Sequence, residues 1–388
     1  MRTFAIFIIF IFQLCILNQS AWADSSIEEE VKAMKEQMAQ MQIKINTLED
    51  RLARSSTPPA AVPVVANRSV SGKWTPEIGV VADTVLKLDS SKEDVDGNNR
   101  LSLRELELVL GSNVDPFSRL DATVSFSDSD DEPVALEEAY LTRFGLPFET
   151  TARIGKFKPK VGKVLGTHRD GLDTVDEPLV IQRYFGTEGM SKAGIDFTKM
   201  IDLPLPVTQQ VIFGILEGGN GEGGTAFGTT RRAPTLYGRL KNYIDLGATT
   251  GLEAGISPMF GSAGDEPGFD SHVLGADVTL TQHLGPVQTI KWQSEVFHVD
   301  HRKTIDTDTD TTGFYSLLDY HFHPSWSVGV RYDDADDRGE TGYLTFFQSE
   351  FARWRLQYSH TSLATGKEDN AVYLQGTFAI GDHKHKLQ

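Results

Sequence analysis

Two hydrophobic periods divide the chain. Ile27, Val31, Met34, Met38, Met41, Ile45, Leu48 and Leu52 recur at alternating intervals of four and three, the seam of a coiled coil. With Val31, Met38, Ile45 and Leu52 at a, the flanking positions set Glu30 against Lys35 and Lys44 against Glu49. These pairs are opposite in sign in a parallel homomeric assembly, so residues 24–54 are predicted to self-associate in that orientation. A lone amphipathic helix lying on another surface is the alternative, because three methionines make a soft seam. Residues 55–73 open with Ser55-Ser56-Thr57-Pro58-Pro59-Ala60-Ala61-Val62-Pro63, which holds no helix and reads as a semi-extended linker.

From residue 74 to the last residue, 388, the period changes to two. Sixteen strands are predicted, centred near Val81, Leu106, Thr123, Ala139, Ile154, Ile195, Val211, Leu240, Leu252, Val278, Trp292, Leu317, Val330, Thr345, Leu356 and Leu374. After odd-numbered strands come long polar links, including Ser90–Arg100, Pro159–Ser191, Glu217–Arg232, Asp300–Thr311 and Asp333–Glu340. After even-numbered strands the links are short, as at Leu146-Pro147 and His323-Pro324-Ser325. A soluble sandwich gives no reason for that alternation, whereas a transmembrane barrel has long external loops and short periplasmic turns. The predicted fold is an all-β antiparallel transmembrane barrel of sixteen strands, preceded by an α-helical coiled coil. Trp354, Leu356 and Tyr358 alternate with Arg353, Arg355 and Gln357, apolar toward lipid and polar toward a lumen.

Charge and the first residues narrow the setting. Lys and Arg number 37 against 54 Asp and Glu, a net charge of -17, which argues against a nucleic-acid binder. Arg2, the apolar run Phe4 to Leu17 and Ala21-Trp22-Ala23 read as a signal peptide over residues 1–23. Cys15, the sole cysteine, lies inside it, so the mature chain has no disulfide, thiol nucleophile or thiolate ligand. Leu14 precedes it where lipidation wants a small residue. No other run approaches the ~20 apolar residues of a membrane helix. The expected place is the outer membrane of a Gram-negative bacterium, with the coiled coil in the periplasm.

Arg153-Ile154-Gly155-Lys156-Phe157-Lys158-Pro159, Leu136-Glu137-Glu138-Ala139-Tyr140-Leu141 and Leu374-Gln375-Gly376-Thr377-Phe378-Ala379-Ile380-Gly381 resemble the phosphate-selective porin O and P family. That resemblance implies a sixteen-stranded homotrimer whose third external loop narrows the pore, and hence a three-stranded coiled coil. The link from Pro159 to Ser191 is the third external one. The chain departs from the family in ending His383-Lys384-His385-Lys386-Leu387-Gln388, where an aromatic residue is common. The family's phosphate-binding arginine ladder also has no residue-by-residue counterpart, so phosphate selectivity is not carried over.

Lys156, Lys158 and Lys160 share one parity and Phe157 the other, which predicts lysines facing the lumen. By the same parity Arg239, Lys241, Lys291, Arg331, Arg353 and Arg355 line it, against Asp83, Asp121, Asp196, Asp277, Glu295 and Asp319. The predicted constriction loop carries Lys163, His168, Arg169, Asp170, Asp173, Asp176, Glu177 and Arg183. Such a wall suits small anions, or an unselective diffusion pore. His321 with His323, and His383 with His385, could each contribute to a zinc or copper site, but two ligands do not make one. There is no Gly-x-Ser-x-Gly elbow, His-Glu-x-x-His pair or Walker loop, so no enzyme activity and no cofactor are expected. The expected function is passive diffusion of small hydrophilic solutes through an outer-membrane porin, with a mild, phosphate-like anion preference. A closed barrel acting as adhesin or tether, and a metal-linked porin, stand as alternatives. The expected partners are membrane lipid, further copies of the chain and small solutes.

Overall fold

The computed structural model describes residues 76–90, 99–128, 133–202, 207–264, 267–303 and 307–381. The predicted signal peptide, coiled coil and linker, and the pair His383 and His385, lie outside the described residues.

Sixteen strands follow in order: β1 (Glu77–Asp89), β2 (Arg100–Asp115), β3 (Ser118–Phe126), β4 (Val134–Leu146), β5 (Thr150–Phe157), β6 (Lys192–Ile201), β7 (Val207–Leu216), β8 (Thr235–Gly247), β9 (Thr250–Gly261), β10 (Ser271–His283), β11 (Thr289–Lys303), β12 (Thr307–His323), β13 (Trp326–Ala335), β14 (Asp337–Ser349), β15 (Ala352–Ser362) and β16 (Glu368–Gly381). Each predicted centre falls inside its own strand. Every strand pairs antiparallel with its sequence neighbours, and β1 closes the sheet on β16 from Gly79↔Gly381 to Asp89↔Ala371. Closure leaves no edge strand with unpaired backbone groups.

Alternation decides which side chains fill the barrel. On β15, Arg353, Arg355 and Gln357 are buried inside while Trp354, Leu356 and Tyr358 are exposed on the outer face. Val328 and Val330 of β13 likewise face out, with Ser327 and Arg331 inside. Among the register shifts that break the alternation, two turn charged residues inward. One lies between Asp83 and Thr84 in the β1–β2 register, where Asp83 pairs with Glu105 and Thr84 with Leu103, skipping Arg104. The other lies where β3 passes from Thr123↔Glu138 to Val124↔Leu136, skipping Glu137. An extra residue re-aims its neighbours, so Arg104 with Glu105, and Glu137 with Glu138, project inward as adjacent charged pairs.

Two links read as long are mostly strand. β11 and β12 stay paired from Asp300↔Asp310 to Lys303↔Thr307, and Asp336 alone, with φ of 68°, joins β13 to β14. Polar residues there read as loop, but a hairpin that rises beyond an apolar band needs no apolar face to stay paired. The link after β5, residues 158–191, is long and irregular, with one short 3-10 turn at Arg169–Gly171 and one helix, α1 (Leu179–Phe185).

Candidate functional site

The loop begins where β5 ends, and β5 does not face as its lysines suggest. Arg153 and Phe157 are buried inside and Ile154 is exposed outside, so Lys156 shares the outer face, its Nζ donating to the Leu136 carbonyl at 2.6 Å. This corrects the predicted lumen position of Lys156. The reason lies in the aromatic packing: Arg153 sits 4.3 Å from the Phe157 ring centre and 5.4 Å from that of Tyr140, and the two rings meet edge-on at 6.1 Å. Between them Gly155 has φ of 137°, and a Cβ there would strike the Ala139 carbonyl oxygen and lie 2.7 Å from Tyr140 Cα. Gly155→Ala is therefore expected to cost more than about 1 kcal/mol, measured as a lower denaturant midpoint of the folded barrel; an unchanged midpoint would refute the close approach.

Past Phe157 the chain turns into the lumen and docks on the far wall. The Gly162 amide donates to Ser257 Oγ of β9 at 3.2 Å, and the Lys163 and Val164 amides both donate to the Glu295 carboxylate of β11, at 2.8 and 3.0 Å. Arg353 and Arg355 donate to the carbonyls of Asp170 and Leu172 at 2.9 and 3.0 Å, and the Val175 amide donates to Gln357 Oε1 at 2.7 Å. The Leu179 amide donates to Asp333 Oδ1 at 3.0 Å, which starts α1 against β13. These contacts satisfy backbone groups that an in-folded loop would otherwise bury without partners. Val161, Leu165, Val180, Ile181, Tyr184 and Phe185 are all buried, packed with Phe297, Tyr315, Leu317 and Tyr343 of the wall. Gly313 of β12 makes room for α1, since a Cβ there would come within 2.9 Å of Val180 Cγ2.

The loop leaves an open cleft of about 300 Å³ beside it, lined by Lys163, Asp173, Lys291, Gln293, Tyr315 and Arg331 among others. Lys291 pairs with Asp173 at 2.6 Å, Arg331 with Asp176 at 3.2 Å, and Lys163 with Glu253 at 2.6 Å. On the opposite side of the loop, His168 is buried between β2 and β4. Its Nδ1 lies 3.0 Å from Glu137 and 3.4 Å from Glu107, and its Nε2 lies 3.0 Å from Glu138. Burial and Lys158 both favour the neutral ring, yet hydrogen bonds from the imidazole to Glu107, Glu137 and Glu138 hold its pKa well above the ordinary value. Glu177, nearby in the loop, is pushed up to about 7 by burial, with Lys158 and Arg169 pulling the other way.

Of the other basic residues assigned to the lumen, Arg239, Lys241, Lys291, Arg331, Arg353 and Arg355 face the interior, as do Asp83, Asp121, Asp196, Asp277, Glu295 and Asp319. Lys158 is buried 3.9 Å from Glu137, while the Lys160 side chain is water-exposed and lies within the electrostatic reach of Arg153 and Lys241. In the loop, Arg169 pairs with Glu188 at 3.1 Å and Arg183 with Asp336 at 3.2 Å. Parity missed the bulge residues Arg104 and Glu137, and also Arg153, Glu105, Glu107 and Glu138. The spacing Glu105-x-Glu107, which puts two carboxylates on one face, was the available signal. His321 stacks on Phe347 at 5.0 Å, and His323 Nδ1 accepts the Ser325 amide at 3.2 Å, so the two do not converge on one point.

Known structures share this architecture. The chain is similar to the anion-selective porin from Comamonas acidovorans (TM-score 0.55, 11% identity, 79% of this chain and 99% of that one). It is also similar to OmpT of Vibrio cholerae in its trimer form (TM-score 0.51, 13% identity, 79% and 99%) and to the outer membrane channel DcaP of Acinetobacter baumannii (TM-score 0.50, 12% identity, 79% and 96%). The chain has a porin fold. In sequence it is 27% identical over 328 residues to an uncharacterized protein of Aquifex aeolicus (strain VF5), covering 73% of this chain and 69% of that protein. No family model matches it. The porin fold gives the in-folded loop its context, a partition across the lumen of a sixteen-stranded barrel.

Proposed function

We propose that the chain is an outer-membrane porin through which small hydrophilic solutes diffuse passively, past a constriction formed by residues 158–191. The observation that carries this reading is the loop itself, anchored across a closed barrel by its backbone amides and carbonyls while charged side chains border an open cleft. The fold shared with outer-membrane channels supports it, and so does a wall whose interior is polar. Three copies would associate through the barrel and the predicted coiled coil; the trimer form of OmpT supports the first half of that statement.

Within this reading we place a mild anion preference. Many interior charges are buried and paired, and paired buried groups contribute little to the field a permeant ion meets. The basic groups with partial or full access to water include Arg104, Lys160, Lys163, Lys241 and Lys291, whereas the acidic ones include Asp173, Asp176 and Glu253. A confined passage with that balance stabilises small anions. The motifs from Arg153 to Pro159 and from Leu136 to Leu141 keep the phosphate-selective porin O and P family as the finer reading of the chain's kinship, while phosphate selectivity, whose arginine ladder has no counterpart here, is not carried over. Replacing Lys160, Lys241 and Lys291 together by Glu is expected to shift the zero-current potential under a salt gradient toward cations, with folding intact, because lumen substitutions tune selectivity. An unchanged potential in the folded variant would remove the anion preference.

A further inference from the structure

The densest group of buried charge lies at the root of the loop, away from the cleft. Glu105 and Glu107 of β2 and Glu138 of β4 are buried, the bulge residue Glu137 is nearly so, and His168 stands among them at 4% exposure. Donor atoms of Glu107, Glu137 and His168 all lie within 4.8 Å of one another. A tetrahedral metal with bonds near 2.0–2.1 Å sets neighbouring donors roughly 3.3 Å apart; His168 Nδ1 is already 3.0 Å from one carboxylate and 3.4 Å from the other.

Two independent features point to a missing partner. Asp170, two residues along the loop, is 3% exposed, neither of its carboxylate oxygens accepts a hydrogen bond, and it is close enough to Glu107 to act on it electrostatically. Thr123, opposite Glu138 in the β3–β4 register, is 1% exposed, and its Oγ1 has no hydrogen-bond partner. Buried polar oxygens left in that state are costly. Charge points the same way, since the five carboxyl groups of Glu105, Glu107, Glu137, Glu138 and Asp170 stand against Lys158, Arg169, Arg353 and the His168 ring, an excess of acid among the described residues.

We propose that His168 Nδ1, Glu107 and Glu137 form a site for a divalent transition metal of the zinc class, with the buried Asp170 carboxylate adding negative charge beside it. The metal replaces the Nδ1 proton, which is released to solvent, so two positive charges enter as one leaves. Glu138, bonded to Nε2 at 3.0 Å, fixes the ring as outer carboxylates do for ligating imidazoles. A nitrogen donor favours zinc over calcium or magnesium, which take oxygen ligands. Bound there, the ion ties the loop root to β2 and β4 at once. The inference concerns binding alone and stands or falls independently of conductance.

The test uses the full chain, folded in detergent and stripped with a chelator, then titrated with Zn²⁺ by calorimetry and with Co²⁺ as an optical probe. The expected result is one metal per chain, visible bands for bound Co²⁺, and a loss of about 100-fold or more in Zn²⁺ affinity for His168→Gln and for Glu137→Gln, at or beyond the range seen for outer-shell changes. Replacing His321 and His323 by Ala should leave the affinity unchanged. Heat-modifiable migration reports whether each variant is folded, and Glu107→Gln serves where His168→Gln is not. Absence of binding by the parent, unchanged affinity in the folded ligand variants, or preference for Ca²⁺ over Zn²⁺ would each overturn the site.

Discussion

Replacing Asp196 by Ala is expected to destabilise the barrel by about 3–5 kcal/mol, the cost of removing one partner of a buried ion pair. Asp196 of β6 is fully buried and accepts from the Arg153 guanidinium of β5 at 2.5 Å and from the Tyr237 hydroxyl of β8 at 2.6 Å. Arg153, itself 8% exposed, also caps the Phe157 ring where the loop departs. Without Asp196 a guanidinium remains in a place that water barely reaches. Urea unfolding in lipid vesicles, followed by tryptophan fluorescence, measures the loss. Replacing Arg153 and Asp196 together by Leu should recover most of it, because the main penalty is the orphaned charge and not the missing attraction. A double variant as unstable as the single one would show that the pair holds the geometry of β5 and β6 by itself.

The second large effect concerns the loop. Ile181 and Phe185 of α1 are fully buried, and Phe185 meets Phe297 of β11 edge-on at 5.1 Å. Truncating buried side chains of this size costs about 2–5 kcal/mol for Ile and 3–5 kcal/mol for Phe. Only the docking of the loop carries that cost, since α1 contributes nothing to the strand ladders. Ile181→Ala with Phe185→Ala is therefore expected to leave a folded barrel whose loop samples undocked states. In planar bilayers the double variant should give larger and noisier unitary steps than the parent. Steps identical to those of the parent would mean that the wall hydrogen bonds from Gly162, Lys163, Val175 and Leu179 are enough to hold the constriction.

Much of the fold could be read from alternation because a barrel wall sorts its side chains by a period of two. Arg353, Arg355 and Gln357 against Trp354, Leu356 and Tyr358 left no ambiguity, and strand order followed from link lengths. Reading failed where one residue changes the phase. At β5 the lysine parity was misleading: Arg153 and Phe157 face in because Gly155 lets the Tyr140 backbone approach, a tertiary contact that no local pattern reveals. At Arg104 and Glu137 a bulge adds one residue to one strand, so both members of an adjacent charged pair reach the interior. His168 lies in the long link after β5, but its carboxylate partners come from strands that the loop meets only by folding back into the barrel. The polar hairpins β11–β12 and β13–β14 run longer than their pattern suggests for a related reason, since strand pairing outlasts the apolar face that marks a strand in sequence.

In the proposed reading, solutes pass through this barrel beside its loop. Liposomes loaded with impermeant polymer and carrying the folded protein test it directly when diluted into isotonic sugars of increasing size. Swelling that is fast for small sugars and falls steeply with solute size is the result expected of a cleft narrowed by residues 158–191. Folded protein, verified by heat-modifiable migration, that permits no swelling with even the smallest sugar would contradict a diffusion channel and leave a closed barrel in its place.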